Sequence, residues 1–318
     1  VTIRSTAKKA VGVLAAAALL LTGCSPAESG DSAKGGGEPL KVYATTGYLA
    51  DAVANIAPDA KVTTMVGPGG DPHTYQPSTK DIENINSSDV VLWNGLHLEA
   101  LMTDQLSSLG DRQLAVGDQL PDQMLLDWPE KDDEGKPLKD PHVWNSPEAW
   151  SKVVGLVADK LAEAKPDKAD EYRANAKEYS GKIDEAAKEA REKLSGIPEP
   201  RMLITGHDAF NYFGKTFGLE VRATDFVSTD AKLSAAELSE LADLIAEKKV
   251  PVIFQDNQAN PQAITSLKEA VRSRGWNVEI STEELYADSL GSEPGVDTYL
   301  GVFKHNAEAV AKALGKEA

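Results

Sequence analysis

One alternation runs through this chain, stops, and resumes, and it limits the possible folds more than any other feature. Short apolar runs at residues 41–45, 61–66, 89–93 and 113–116 read as strands, with stretches of helical spacing between them. Thr46 can cap a helix that carries Leu49, Ala52, Val53 and Ile56 on one face. Ser78 with Asp81 reads as a capping box for a second helix, and residues 98–109 predict a third. Residues 121–141 are irregular and acidic, as in a surface loop or hairpin, and from Pro147 the positions Trp150, Val153, Val154, Val157 and Leu161 trace another helix face. The alternation then gives way to a single charged helix over residues 166–196, which Pro166 opens and Gly196 and Pro198 close. Its apolar stripe is narrow (Tyr172, Ala176, Tyr179, Ile183, Ala187, Ala190, Leu194). Glu178 with Lys182, Asp184 with Lys188 and Glu189 with Lys193 stand at favourable i,i+4 spacing around it. At roughly 1.5 Å per residue such a helix is about 45 Å long, enough to act as a strut between two domains. Strand-like runs return at residues 201–205, 220–224, 250–254 and 278–281. Helix starts stand at Ser234 and Asn260, and a terminal helix is predicted over residues 297–314.

Strands alternating with helices predict parallel sheets covered on both faces. The expected fold class is therefore α/β with two lobes, each a mainly parallel four-stranded sheet flanked by helices, joined by one long rigid helix. The corresponding domains are residues 40–165, 166–196 and 197–318. The second half repeats the layout of the first without a visible sequence repeat.

The N-terminus is of a different kind. Arg4, Lys8 and Lys9 precede an apolar run over residues 10–21, too short to span a bilayer comfortably, which ends in Leu21-Thr22-Gly23-Cys24. Residues 1–23 are expected to be a signal peptide and residues 24–39, rich in Ser, Gly and charge, a flexible tether. Cys24 is the sole cysteine, so an intrachain disulfide and a thiolate metal site are both excluded. Loss of three basic residues with the leader takes the net charge from −17 to about −20, a surface that repels nucleic acid.

Candidate chemistry rests on the histidines. Of five, three fall on strand-to-helix junctions. His73 lies in V-G-P-G-G-D-P-H-T-Y-Q-P, where Gly and Pro hold the backbone in turns just ahead of the Ser78 helix start. Asp-Pro-His returns at Asp140-Pro141-His142, again before a helix start, and His207 follows the run at 201–205. In parallel sheets ligands collect at the carboxyl ends of strands, and imidazoles fixed there suit a divalent transition metal. Asp288, read as standing at the end of the last strand, is the candidate fourth ligand, with Asp256 a weaker candidate. Asp71, Asp140 and Asp208 are candidate acceptors for the remaining ring N–H groups. Tyr75, Trp144 and Phe210 are expected to pack around the ligands, and His97 and His305 to be structural or solvated.

Taken together, L-T-G-C, G-G-D-P-H-T-Y-Q-P, W-N-G, D-P-H-V-W, T-G-H-D-A-F-N-Y-F, A-D-S-L-G and G-V-F-K-H-N resemble the zinc/manganese class of ABC-transporter solute-binding lipoproteins, the TroA-like family. The resemblance spans essentially the whole chain. It implies that His73, His142, His207 and Asp288 ligate one divalent ion, Mn or Zn, held between the lobes, and that the L-T-G-C cysteine, Cys24, carries lipid. It also implies delivery to an ABC permease and its ATPase by a monomeric receptor, anchored on the outer face of the cytoplasmic membrane, that performs no covalent chemistry. The D-P-H-x-Y-x-P and D-S-L-G forms, and the lack of histidine in residues 127–140, resemble the manganese-associated branch. Those forms make manganese the expected cargo, while three imidazoles and one carboxylate suit zinc and keep it as the alternative. Two other functions compete with this one. A secreted zinc-dependent hydrolase is disfavoured because there is no H-E-x-x-H and four protein ligands leave no open position for water. A siderophore- or corrin-binding protein of similar layout would not need the three histidines.

Overall fold

A computed structural model describes residues 38–131, 135–226, 229 and 233–315. The expected leader, Cys24 and the tether up to residue 37 lie outside the described residues.

The first lobe begins with β1 (Lys41–Ala44), α1 (Gly47–Ile56), β2 (Lys61–Thr64), α2 (Thr79–Ser87) and β3 (Val90–Trp93). It continues through α3 (Thr103–Ser107), β4 (Gln113–Ala115), a hairpin of β5 (Asp127–Lys131) and β6 (Pro137–Lys139), and α4 (Pro147–Ala164). Its sheet has the order β2-β1-β3-β4 and is parallel throughout, with Val42 opposite both Val62 and Val90. The first helix forms where expected: Thr46 accepts a hydrogen bond from the Leu49 N–H, and Leu49, Ala52, Val53 and Ile56 are buried. The capping box at Ser78 and Asp81 is also present. Asp81 additionally accepts hydrogen bonds from the Tyr43 and Tyr75 hydroxyls, so Tyr75 serves the base of this loop rather than the ligands.

The helix predicted over residues 98–109 is a 3-10 turn (Ala100–Met102) and the short α3, which meet at Met102 with φ −123° and ψ 0°. Glu99 explains the break. Its carboxylate turns back to accept the Asn94 and Gly95 N–H groups and the Thr45 hydroxyl, so this turn closes against the end of β3 instead of extending.

The strut follows as α5 (Ala169–Leu194), entered through a 3-10 turn at Pro166–Lys168. Its buried stripe matches the expected one except that Ala186 is buried in place of Ala187. Only the Glu178–Lys182 pair forms within the helix; Glu189 and Lys193 instead reach Lys304 and Glu308 on the terminal helix.

The second lobe comprises β7 (Met202–Thr205), α6 (Asn211–Phe217), β8 (Glu220–Ala223), α7 (Ala235–Lys248), β9 (Val252–Ile253), α8 (Pro261–Ser273), β10 (Glu279–Ile280) and α9 (Tyr299–Leu314). Its parallel sheet has the order β10-β9-β7-β8. In both lobes the chain reverses direction across the sheet next to the first strand. That topology opens a crevice at the carboxyl ends of the strands. One apolar cluster runs from Leu40 and Val42 through Trp150, Tyr179 and Ile183 to Phe213 and Phe303, so the two lobes and the strut share a core. Smaller clusters fill the outer face of each sheet. No helix among the described residues is long and apolar enough to cross a membrane.

Candidate metal centre

The three junction histidines and Asp288 come together between the lobes. All four are buried, and one ligand atom from each lies within 4.8 Å of the others. His142 Nε2 is 3.3 Å from His73 Nε2 and 3.2 Å from His207 Nε2. Asp288 Oδ1 is 3.3 Å from His142 Nε2, while its Oδ2 is 3.1 Å from His207 Nε2 and 3.5 Å from His73 Nε2. At a zinc–nitrogen bond of roughly 2.0–2.1 Å, the edges of a regular tetrahedron are about 3.3 Å. These separations therefore fit four atoms sharing one ion. Neither oxygen of Asp288 accepts a hydrogen bond. A buried carboxylate and three imidazoles aimed at one point require positive charge there, from a proton or a metal ion.

Each ligand is held by a different device. His142 is fixed most tightly. Asp140 Oδ1 accepts its backbone N–H at 3.0 Å and faces its ring Nδ1 at 2.7 Å, which puts the ring proton on Nδ1 and frees the Nε2 lone pair for an ion. Of the three expected carboxylate–imidazole partnerships this is the one that forms. Asp71 takes the backbone N–H of His73 rather than its ring, and also bonds the hydroxyls of Thr74 and Thr229. Asp208 bonds Asn211, and His207 Nδ1 has no partner. Asp256 stands outside this cluster. Its Oδ2 accepts the Gly206 and His207 N–H groups at 2.9 Å each, which orients His207 through the backbone. Glycine at 206 permits that approach, since a Cβ there would stand 2.3 Å from that of Ala259. Asp288 lies on a loop eight residues past β10, not at its end, where Leu285 bridges to Asp256.

Electrostatics follow the same plan. Burial opposes charge on His142, but Asp140 and Asp288 outweigh it and push its pKa up to about 10. Burial opposes charge on His207 also, and Asp288 again prevails and raises it. His73 is lowered, because burial dominates there. Asp288 is held far below the usual carboxylate range by His207 and His142 in spite of burial. These directions favour an ionised carboxylate with positive charge beside it, the charge an ion would supply.

Trp144 packs edge-on against His142, as expected of an aromatic near the ligands, whereas Phe210 packs on Phe213. His97 lies at the surface against Trp128, and His305 bonds the Glu284 carbonyl; both are remote from the cluster. Lobe-to-lobe bonds surround the site. The Tyr48 hydroxyl and Trp144 Nε1 both donate to the Ala287 carbonyl at 2.9 Å, and Asn211 and Tyr212 reach Asp140.

Two parallel α/β lobes joined by one long helix, with a buried polar cluster at the facing strand ends, define a two-lobed solute-binding protein. The family model described as zinc-uptake complex component A, periplasmic (ZnuA), matches residues 42–313, and this chain belongs to that family of solute-binding transport proteins. The chain is 38% identical over 311 residues to the manganese-binding lipoprotein MntA of Bacillus subtilis (strain 168), covering 95% of this chain and 99% of that one. It is 36% identical over 302 residues to the zinc-binding protein TroA of Treponema pallidum (strain Nichols), covering 93% and 96%. The solved structure of the periplasmic zinc-binding TroA of Treponema pallidum superposes with a TM-score of 0.81 at 36% identity, over 87% of this chain and 99% of the other.

Proposed function

We propose that this chain is the extracytoplasmic receptor of an ABC importer, which captures one Mn(II) or Zn(II) ion on His73, His142, His207 and Asp288 and delivers it to the permease. The observation that carries the reading is the convergence of four buried ligand atoms within 4.8 Å, with Asp288 unbonded at the centre. The relatives that bind manganese and zinc support the same reading. Manganese is the proposed cargo, in line with the more similar of those two relatives. Zinc is expected to bind more tightly in solution, because intrinsic affinity at imidazole and carboxylate ligands ranks zinc above manganese.

The same proposal extends to the rest of the chain. Residues 1–23 direct export, Cys24 carries the lipid anchor on the outer face of the cytoplasmic membrane, and residues 24–39 tether a monomeric receptor. That receptor is built from lobes at 40–165 and 197–318 on the 166–196 helix. Metal would favour the closed arrangement of the lobes, the state a permease can tell from the metal-free one.

The test is elemental analysis after stripping and competitive reloading with Mn(II) and Zn(II), on wild type and on His142→Ala. One ion per wild-type chain and a loss of at least about tenfold in affinity in the variant are expected. Wild type without stoichiometric metal would sink the proposal.

A further inference from the structure

Three consecutive side chains on the turn after β9 grip the segments that carry the ligands. Asp256 holds the Gly206 and His207 N–H groups. Asn257 accepts the Ala287 N–H at 2.8 Å through its carbonyl oxygen and donates its amide to Ser289, on both the carbonyl and Oγ. Gln258 completes the set. Its Oε1 accepts the Asp288 backbone N–H at 3.1 Å, and its Nε2 donates at 2.9 Å across the cleft to the carbonyl of Gly70 in the first lobe. The partners fix the orientation of this amide, since flipping it would set donor against donor and acceptor against acceptor.

From this geometry we infer that Gln258 is a positioning residue that couples Asp288 to lobe closure and so governs how fast the ion leaves. The inference rests on the metal-receptor reading above. Gly70 is three residues from His73, and Asp288 is the fourth ligand, so one amide ties ligand-bearing loops of opposite lobes. Opening the cleft must break the bond to Gly70. Shifting Asp288 off its ion must break the other bond, and each holds the amide in place for its partner. Ser289 reinforces the same seam by accepting the Gly69 N–H at 3.0 Å. Gly69 there has a φ of +72°, the left-handed backbone that favours glycine. Gln258 touches no ligand atom of the cluster. Its effect therefore falls on release, which waits for the closed seam to part, rather than on capture by the open form.

The test is Zn(II) release from the full chain on mixing with excess chelator, compared among wild type, Gln258→Met and Gln258→Glu. Methionine keeps the length and removes both bonds. Glutamate keeps an acceptor for Asp288 but sets an oxygen against the Gly70 carbonyl. Both variants are expected to release zinc about tenfold faster or more, with association changed far less, and only the methionine variant, which also loses the Asp288 N–H bond inside the second lobe, is expected to lower the metal-free unfolding midpoint slightly. Release at the wild-type rate in both variants would overturn the inference, and so would a lowered metal-free midpoint with release unchanged. If the methionine variant does not fold, the glutamate variant decides alone. Failure of wild type itself to hold zinc would instead sink the receptor reading, and is seen before any variant is made.

Discussion

At the scale of single residues, side chains that hold backbone shape this site as much as the ligands do. Glu99 is the clearest case outside the cluster. It secures the Asn94 and Gly95 N–H groups at the end of β3, where Gly95, Leu96 and His97 all have positive φ, and the Asn94 amide in turn donates to the Pro141 carbonyl beside His142. Burial raises its pKa from the ordinary 4.5 to about 7 against the pull of hydrogen bonds from Thr45, Asn94 and Gly95. The folded protein therefore keeps a proton that the unfolded chain has released between those values. Stability from this group should fall as pH rises through that window, by about 3 kcal/mol in all, and level off above it. Glu99→Gln removes the charge. Urea unfolding in excess chelator at pH 5 and pH 8 should show the variant gaining on wild type at the higher pH, and parallel profiles would contradict this account. The three candidate histidine ligands were legible in the sequence because imidazole is rare in this chain and recurs at equivalent junctions. Asp256, Asn257 and Gln258 were not, since a side chain that serves a distant backbone N–H leaves no periodicity and no motif. In the sequence Asp256 reads only as a carboxylate near the site, while in the fold its Oδ2 serves the Gly206 and His207 N–H groups.

At the scale of elements, periodicity found the strut but not its neighbours. The i,i+4 spacing of Glu189 and Lys193 is real, yet both side chains pair across to α9, because a helix packed on several sides offers its charges to partners outside it. The same limit applies at its end. Gly196 and Pro198 read correctly as a stop, but the residue that anchors the stop is Arg201, whose guanidinium donates to the carbonyls of Leu194, Ile197, Phe217 and Gly218. One side chain thereby caps the C-termini of both α5 and α6 and fastens the strut to the second lobe. Arg201→Met should cost about 2–4 kcal/mol in urea unfolding, and Arg201→Lys most of that, since a single ammonium cannot reproduce the planar fork. A lysine variant of full stability would show that charge, not geometry, holds this corner. The predicted helix at 98–109 failed for a related reason: Glu99 favours helix by propensity, but the bare N–H groups at the end of β3 claim its carboxylate.

At the scale of the whole molecule, the question is how far two lobes can move when they share a core. Residues 39–318 form one compact unit, and a single apolar cluster passes from the first sheet through α4 and α5 to α9 and the second lobe. Tyr172, Asn175 and Tyr179 on the strut also bond Asp59, the Ile56 carbonyl and Asp51 in the first lobe. A wide swing about a bare hinge would expose that cluster, at about 25 cal/mol for each Å² of apolar surface. A small rocking at the cleft breaks polar bonds around Ala287, Asp288, Gly70, Asp71 and Asp140 and leaves the apolar cluster covered. The lobes should therefore unfold together. Calorimetry of the metal-free protein should give one transition, and Zn(II) at a hundred times its Kd should move that transition upward as a unit, adding about 2.7 kcal/mol. His142→Ala should keep the single transition and lose the shift, because it removes a ligand without touching the strut. Two separate transitions in chelator, merging only when metal is added, would mean that the ion rather than the common core joins the lobes, and the strut would then have to be read as a hinge.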